Sequence, residues 1–453
     1  MRTRQGHKAV LYAASLVFMY FGLPSGAFAG DLGGTCCTDL EERVAELEAT
    51  TVKKGNRKVS VTLSGYVTQQ VMYWDDGSQK DMYVGDGGPM SSRFRFTGEA
   101  KINADVTAGF TYEFGIDNNR IGNMNQGNGG DDLDGTTAAG TSGRTDVLRD
   151  STVWLRHKNL GMVKVGHGST ATDNLILIDL SGAGVAMTPD VALWNGGFGM
   201  RIDTLSLGGV PIPAAHGINT GIGWAALFNG GTSFDTARRN HVLYETPTLM
   251  GFTVSAAVGE DNFWDVALRY AGEFSGFRLA AGVGYSVDTE LPVFSPGSTT
   301  SMKETKGSAS LMHMASGLFV TAAGGMRETE LGLTVPAPFS FSIKDGHFWH
   351  VAAGISKNWT GLGATVLFAE YQQARDMFGF SAGGPGGSVS LGTDATMWGV
   401  GVVQHIDAAA MEVFLTYKNF SGGADLTSSL PNIHGSLDMQ DFQAVIGGAR
   451  VSF

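Results

Sequence analysis

The chain has 453 residues and a formal net charge of −12, with 66 glycines, 12 prolines and 43% hydrophobic residues. This acidic balance argues against a nucleic-acid partner, because nucleic-acid-binding proteins show a basic face. An aromatic content of 10% argues against intrinsic disorder, and the adjacent Cys36 and Cys37 provide neither a disulfide framework nor a cysteine-based zinc site.

The N-terminus has the composition of an export signal. Three cations, at Arg2, Arg4 and Lys8, precede the apolar run 9–21 and the small-x-small pattern 27–29. The sequence therefore predicts a signal peptide at residues 1–29, with an uncleaved membrane anchor as the alternative. Removal of three cations and no acids would change the formal charge from −12 to −15.

Residues 30–57 are predicted to form an N-terminal segment with a short helix at 39–49. Leu40, Val44 and Leu47 are spaced by four and then three residues, with charged residues between them. One heptad is too short for a stable free coiled coil, but three copies held together elsewhere could pair it. We therefore predict an association helix, and a solvated helical linker is the alternative.

From residue 58 onward the hydrophobic period is two. Val59 and Val61 alternate with Ser60 and Thr62, as in a strand with one apolar side. Similar segments recur, and together they predict sixteen strands. The further segments are residues 93–97, 105–114, 151–158, 162–167, 239–245, 252–259, 264–272, 276–287, 306–315, 318–327, 347–357, 362–372, 396–405, 411–420 and 442–453.

The connections between these segments alternate between short turns and long polar loops. The longest loop runs from Gly168 to Arg238. An even number of strands, with turns on one side and loops on the other, is the layout of a membrane barrel, which closes so that no backbone polar group faces lipid unpaired. The sequence thus predicts an all-β fold, a 16-stranded antiparallel transmembrane β-barrel. A soluble β-sandwich with so many apolar faces would expose too much apolar surface.

Three segments resemble the trimeric general porins of the Gram-negative outer membrane, and most closely the alphaproteobacterial porin family. They are the first strand, 58–69, the last strand, 444–453, which ends in phenylalanine, and the segment 161–167 before the longest loop. The resemblance implies a porin barrel at residues 58–453 that contacts outer-membrane lipids, assembles as a homotrimer and forms a water-filled channel for passive diffusion of small hydrophilic solutes and ions.

The same resemblance implies roles for particular segments. The third long loop, about residues 168–238, would fold inward as a constriction, and residues 30–57, with their short helix, would lie in the periplasm. Phe453 would be the signal that the barrel-assembly machinery reads.

The alternation places a group of basic side chains inside the barrel, on strands two, four, five and six. The longest loop offers three carboxylates as counter-charges. Cations and anions that face each other across a narrow aqueous pore create a field that orients polar solutes and sets ion preference. The alternative is that the inward basic residues are ordinary polar lumen residues. The predicted basic wall is Arg93, Arg95, Arg156, Lys164 and Arg239, and the predicted acidic residues are Asp173, Asp179 and Asp190.

The sign of the ion preference is expected to follow the charge of −15, which favours a weak preference for cations.

Catalysis is a competing class of function, but the histidines are scattered without the paired spacing of metal ligands. No Gly-x-x-x-x-Gly-Lys signature of a phosphate loop is present. The sequence therefore predicts no enzyme, no cofactor and no metal. The alternatives to a general channel are a structural tether, with the barrel as anchor, and a solute-selective channel.

Overall fold

The computed structural model describes residues 59–116, 120–129, 147–231, 233–235, 238–291, 300–332, 335–429 and 434–453. The predicted signal peptide and the association helix, with Leu40, Val44 and Leu47, lie outside the described residues. Within the described ranges, no helix combines the length and the apolar composition that crossing a membrane requires.

Sixteen long strands of the described chain form an antiparallel barrel. Each strand pairs with the next, and the last pairs with the first from Tyr66 opposite Ser452 to Asp75 opposite Gln443, so the sheet is closed. The predicted 16-stranded barrel is confirmed. The strands are β1 (Ser60–Asp75), β2 (Arg93–Lys101), β3 (Val106–Gly115), β4 (Val147–His157), β5 (Gly161–Gly168), β6 (Arg239–Glu245), β7 (Phe252–Gly259), β8 (Trp264–Phe274), β9 (Phe277–Leu291), β10 (Thr300–His313), β11 (Leu318–Leu331), β12 (Gly346–Lys357), β13 (Thr365–Arg375), β14 (Gly387–Ile406), β15 (Met411–Ser428) and β16 (Phe442–Ser452).

The barrel has a turn end, where short connections join the strands, and a loop end, which carries the longer connections. At the turn end, Ser275 and Gly276 join β8 to β9 with φ values of 48° and 82°. Two positive φ values are the geometry of a two-residue hairpin turn whose twist matches that of the strands, and glycine adopts it without steric cost.

The outer face of the wall is apolar. Val153 and Leu155 on β4 and Val163 and Val165 on β5 are 43–61% exposed, whereas the intervening Lys164 points into the lumen. Successive side chains of a strand point to opposite faces, and a membrane barrel presents apolar side chains to lipid. The alternation that the sequence shows is therefore the alternation between lipid and lumen.

The wall is low on one side and tall on the other. Strands β2 to β7 have 7–11 residues, whereas β9 to β15 have 11–20 residues. The residues 387–395 and 421–428, which the sequence assigned to loops, extend β14 and β15. The predicted strand began too late at β14 and ended too early at β15, because the apolar residues of these two segments are sparse.

Shorter elements at the loop end and in the lumen were also assigned to loops by the sequence. The additional described strands are Lys80–Asp86, Gly199–Leu207, Val210–Pro211, Asn219–Gly223, Ser340–Ile343, Phe380–Gly384 and Gly435–Met439. The helices are α1 (Ala192–Asn195) and α2 (Trp224–Asn229), with 3-10 turns at Ile121–Asn123, Leu175–Leu177, Pro213–Ala215 and Asp407–Ala409.

The loop between β5 and β6 has three parts. Its first limb, 169–198, and the described residues of its return limb, 224–231, 233–235 and 238, lie inside the barrel. In the return limb, Phe228 packs 5.8 Å from Phe420 of the wall, measured between ring centroids. The middle part, 199–223, which we call the excursion, lies at the loop end, where its first strand pairs with Gly435–Met439. The loop therefore turns inward twice and outward in between.

Two glycines let the first limb lie against the tall wall. Gly282 and Gly284 occupy the inner face of β9, opposite Leu175 of the first limb. A Cβ added at Gly284 would lie 2.5 Å from the Leu175 side chain, and one added at Gly282 would lie 2.7 Å from it. These distances are shorter than van der Waals contact, so a larger residue at either position would displace the limb.

Candidate functional site

Three arginines converge on one buried carboxylate in the lumen. Glu113 on β3 is 2% exposed, and Arg95, directly opposite it on β2, donates Nε to Oε2 at 2.6 Å. Arg149 on β4 donates Nε to Oε1 at 2.8 Å, and Nη1 of Arg93 lies 3.5 Å from Oε1. We call these four residues the Glu113 cluster. Three guanidinium groups on one carboxylate leave a surplus of two positive charges.

A β-bulge explains why Arg149 belongs to the cluster. The register between β3 and β4 shifts after Glu113, which lies opposite Asp150, so that the next pair is Phe114 with Leu148. Arg149 is the extra residue of the bulge. Both Arg149 and Asp150 consequently reach partners in the lumen. Arg149 binds Glu113, and Asp150 accepts from Lys164 Nζ at 3.0 Å. Simple alternation cannot predict two inward neighbours.

Arg450 on β16 extends the basic wall and was also missed by the sequence analysis. Its Nη2 lies 2.7 Å from Glu412. Arg450 and Arg93 both lie over the ring of Tyr66, with Cζ at 5.1 Å and 5.0 Å from its centroid. A signal was present in the sequence, since Arg450 is four residues from the inward Ile446 and therefore shares its face.

Not all of the predicted basic residues meet. Arg93 and Arg95 belong to the Glu113 cluster, and Lys164 pairs with Asp150 beside it. Arg239 forms an ion pair with Asp288. Arg156 is exposed near the turn end, where its Nη2 lies 3.4 Å from Met162 Sδ. The structure therefore does not bring Arg156 to the other four.

The three predicted acidic residues have different surroundings. Asp173 is 1% exposed, with Oδ2 4.0 Å from Arg238 of the return limb. Asp179 is half-buried and accepts from Ser181 Oγ at 2.6 Å. Asp190 is 6% exposed and its bonds stay within the loop, to Ser233 and to Asn229.

Buried charges on the tall wall hold the return limb. Glu304 on β10 accepts from both Lys306 and Arg327. Lys306 Nζ then donates to the Phe234 carbonyl at 2.6 Å, and Arg327 Nη1 donates to the Asn229 carbonyl at 2.6 Å. Hydrogen bonds to charged groups are among the stronger ones in proteins, so this side of the barrel is bound firmly to the loop.

A second buried group holds the first limb. Lys418 on β15 shares Glu370 of β13 with His350 of β12. Nζ of Lys418 also lies 4.7 Å from the ring centroid of Trp194 in the first limb, which is a cation–π contact.

The inward limbs cover charged side chains of the tall wall and leave those of the basic wall partly exposed. The side chains of Lys306 and Lys418 on the tall wall are both 0% exposed. On the basic wall, the side chains of Arg95, Arg239 and Arg93 are 32%, 22% and 13% exposed although they point into the lumen. Among these residues, the cations of the basic wall are therefore the more accessible from the lumen.

Comparisons with known proteins bear on the family and the fold. A family model described as Gram-negative porin matches residues 14–425. No curated protein sequence matches the chain. The anion-selective porin from Comamonas acidovorans is similar in structure, with a TM-score of 0.53 and 17% identity over 87% of this chain and 100% of that one.

Two structures of OmpT from Vibrio cholerae are similar as well. The in-vitro folded protein has a TM-score of 0.51 and 14% identity over 88% of this chain and 99% of that one. Its trimer form has a TM-score of 0.50 and 16% identity over 87% and 99%. At these identities, the structural similarity supports the fold alone. The family match, which spans most of the chain, supports a channel rather than an enzyme. The chain belongs to the Gram-negative porin family and forms an outer-membrane channel for passive diffusion.

Proposed function

We propose that solutes pass along the basic wall and that the channel prefers anions to cations. The observation that carries this proposal is the Glu113 cluster, in which three guanidinium groups share one carboxylate. In a narrow aqueous passage the local charge determines which ion is favoured. The proposal replaces the weak cation preference expected from the charge of the whole chain.

The opposite side of the passage supports the same sign. Asp173 and Asp190 are buried, so Asp179 is the predicted loop carboxylate that remains half-exposed. We therefore propose Asp179 as the acidic member of the constriction and leave Arg156 outside it. One similar structure is by name anion-selective, but at 17% identity that similarity supports the fold alone, and the proposal rests on the arginines.

The test is the reversal potential in a planar bilayer under a KCl gradient. We expect wild-type protein to favour chloride, and the double variant Arg95→Gln, Arg149→Gln to shift the reversal potential towards cations. Arg156→Gln is the matched control, because it removes a lumen arginine outside the Glu113 cluster. Equal shifts in both variants would contradict the assignment. A bilayer without current would favour the structural tether instead.

We further propose a homotrimer in which the low wall contacts neighbouring copies. One similar structure is a trimer form. Strands β5, β6 and β7 have 8, 7 and 8 residues, fewer than the roughly 9–11 residues with which a tilted strand spans the lipid core. A neighbouring copy would cover the part of the lipid core that these short strands do not span. A single species of monomer mass in mild detergent would contradict this proposal.

We also place the chain in the alphaproteobacterial branch of the porins, on the motifs of its first and last strands. Phe453 is proposed as the assembly signal. Its backbone N–H donates to the Gly65 carbonyl at 3.0 Å, and its side chain is 59% exposed and thus accessible to a receptor.

A further inference from the structure

A sheet rises above the tall wall at the loop end, and we call it the rim sheet. It consists of the upper parts of β14 and β15 and of shorter strands from four loops. Ser340–Ile343 pairs with Phe380–Gly384, which pairs with β14. On the other side, β15 pairs with Gly435–Met439, which pairs with the excursion.

The register of the rim sheet collects apolar side chains on one face. Phe380 lies opposite Leu391, which lies opposite Leu426. Leu426 lies opposite Gly435, Gly435 opposite Leu207, and Leu207 opposite Val210. Directly opposite residues of antiparallel strands share a face, so one stripe crosses the sheet. Its apolar members, with Phe341 stacked 5.6 Å from Phe380, form the apolar rim face: Phe341, Phe380, Leu391, Leu426, Leu207 and Val210.

The apolar rim face continues the inner face of the barrel. On β15, Gly422 and Leu426 are four residues apart and share a face, and a Cβ added at Gly422 would lie 2.9 Å from Leu227 of the return limb inside the lumen. Leu437, which lies opposite Ala424, packs against the buried core. The apolar rim face is thus turned towards the mouth of the channel.

The outer face of the rim sheet is polar. Ser381 lies opposite Ser390, which lies opposite Thr427, and Ser206 lies opposite Ser436. This arrangement is the reverse of that in the membrane, where the apolar side chains face outward. Burial within the protein does not explain it, because Val210, Leu207 and Phe341 are 65%, 49% and 42% exposed.

We infer that the channel takes amphiphilic organic anions, small carboxylates with an aliphatic or aromatic body. Clustered apolar side chains that remain exposed mark a binding site, and the inner face of a channel mouth meets the solutes that enter rather than lipid or a neighbouring copy. The apolar body binds the rim face, and the carboxylate then passes the Glu113 cluster, whose positive surplus complements it. The anionic part of this inference rests on the proposed anion preference.

The test measures how straight-chain carboxylates reduce the chloride current of wild-type channels in a planar bilayer. Acetate, butanoate, hexanoate and octanoate are added on the side of the loop end. Full burial of a methylene group corresponds to about a fourfold change in affinity. Because the rim face is open on one side, we expect the half-blocking concentration to fall about twofold for each added methylene.

Variants of neighbouring strands separate the two faces of the rim sheet. The double variant Leu207→Ser, Val210→Ser should abolish the dependence on chain length and leave block by acetate unchanged. The control Ser206→Ala, Ser436→Ala changes the outer face where the strand of Leu207 pairs with Gly435–Met439, and it should keep the wild-type series. If the double variant fails to assemble, Phe341→Ser, which lies on a different strand, replaces it in the test. This variant should weaken the dependence on chain length.

The outcomes distinguish this inference from the proposed function. If wild-type channels favour chloride but their block does not depend on chain length, the inference that amphiphilic anions bind is overturned and the proposed anion preference stands. That result would indicate that another segment of this chain covers the apolar rim face. A length dependence that survives in both rim variants would overturn it as well. Equal block by hexylammonium and hexanoate would overturn the anionic class. A reversal potential that favours cations would overturn the proposed preference itself.

Discussion

Arg201 of the excursion donates Nε to Oδ2 of Asp76 at 2.6 Å and so joins the third loop to the first loop at the rim. Gln126 of the second loop donates Nε2 to the same oxygen at 3.0 Å. Arg201 also donates Nη2 to Gln79 Oε1 at 2.7 Å. Three loops are thus fastened at one carboxylate, which is 3% exposed.

This carboxylate should make the stability of the rim depend on pH. Burial raises the pKa of Asp76, but hydrogen bonds from Arg201, Gln79, Gln126 and Ser78 outweigh it and leave the pKa below its ordinary value. A lowered pKa in the folded state contributes stability above the ordinary value, near 3.9, and this contribution is lost as the pH falls through the lowered value. We expect Asp76→Asn to melt at a lower temperature than wild type at neutral pH, and the difference to vanish in strong acid.

The measurement is thermal unfolding followed by circular dichroism over a range of pH. Asp81→Asn is the matched control, since Asp81 is an exposed carboxylate of the same loop. A constant difference between wild type and Asp76→Asn at every pH would show that the charge of Asp76 is not what stabilises the rim.

Neutralising two loop carboxylates, Asp179 and Asp190, should affect the reversal potential differently. Asp179→Asn removes a half-exposed charge and should shift the reversal potential further towards anions. Asp190→Asn should leave the reversal potential unchanged and lower the melting temperature, because the carboxylate of Asp190 is bonded within the loop. The reversal potential of both variants is measured in the KCl gradient at low and high salt, and their melting temperatures by thermal unfolding. Because the Debye length falls from about 10 Å at 0.1 M to 3 Å at 1 M, the Asp179 shift should shrink. A shift from Asp190→Asn would show that Asp190 faces the passage.

Gly284→Val should displace the first limb from the tall wall. The added side chain would occupy the space of Leu175, and overpacking of this kind costs about 1–3 kcal/mol. We expect assembled channels with an altered single-channel conductance. Gly447→Ala is the control, since a Cβ there meets Leu415 at an ordinary 3.4 Å. Wild-type conductance in Gly284→Val would mean that the limb does not determine the width of the passage.

Deletion of Phe453 should reduce the yield of barrel in the outer membrane. We propose that this residue is read during assembly, and it also closes a pair of backbone hydrogen bonds with Gly65. Phe453→Tyr keeps an aromatic terminus and both bonds and should assemble normally, whereas Phe453→Ala keeps only the bonds. Equal membrane yield of the alanine variant and wild type would argue that the aromatic ring is incidental.

The N-terminal helix should contribute to association of the copies. Its heptad spacing motivates the triple variant Leu40→Ser, Val44→Ser, Leu47→Ser, for which we expect dissociation of the trimer at a lower temperature on detergent gels. The control replaces the charged neighbours Glu41 and Glu48 with glutamine. An unchanged dissociation temperature in the triple variant would identify the segment as a linker.

The barrel was predictable from the sequence because lipid requires one apolar face. Val153, Leu155, Val163 and Val165 show that requirement directly as alternation. The rim strands were not predictable in the same way. Four of the five strands that the loops add to the rim sheet have only 2–5 residues, too few for their alternation to stand out from the glycine- and serine-rich loops around them.

The members of the candidate site were partly predictable. Alternation predicted that Arg93, Arg95 and Lys164 face inward, which needs only the parity of a strand, and in the structure they contact Glu113 and Asp150 on the inner face. It could not include Arg149, since the bulge after Glu113 changes the parity of β4. It also could not show that Asp173 and Asp190 are buried, because their exposure depends on the path of a loop through the barrel.

The sequence by itself therefore determined the number of strands, the side of the wall that meets lipid and the presence of charge in the lumen. Only the tertiary structure decided which wall of the barrel the loop covers. The limbs pack against the tall wall because Gly282 and Gly284 admit Leu175 and because buried charges such as Lys306 bind backbone carbonyls of the loop. These contacts join residues far apart in the chain, and local periodicity carries no record of them.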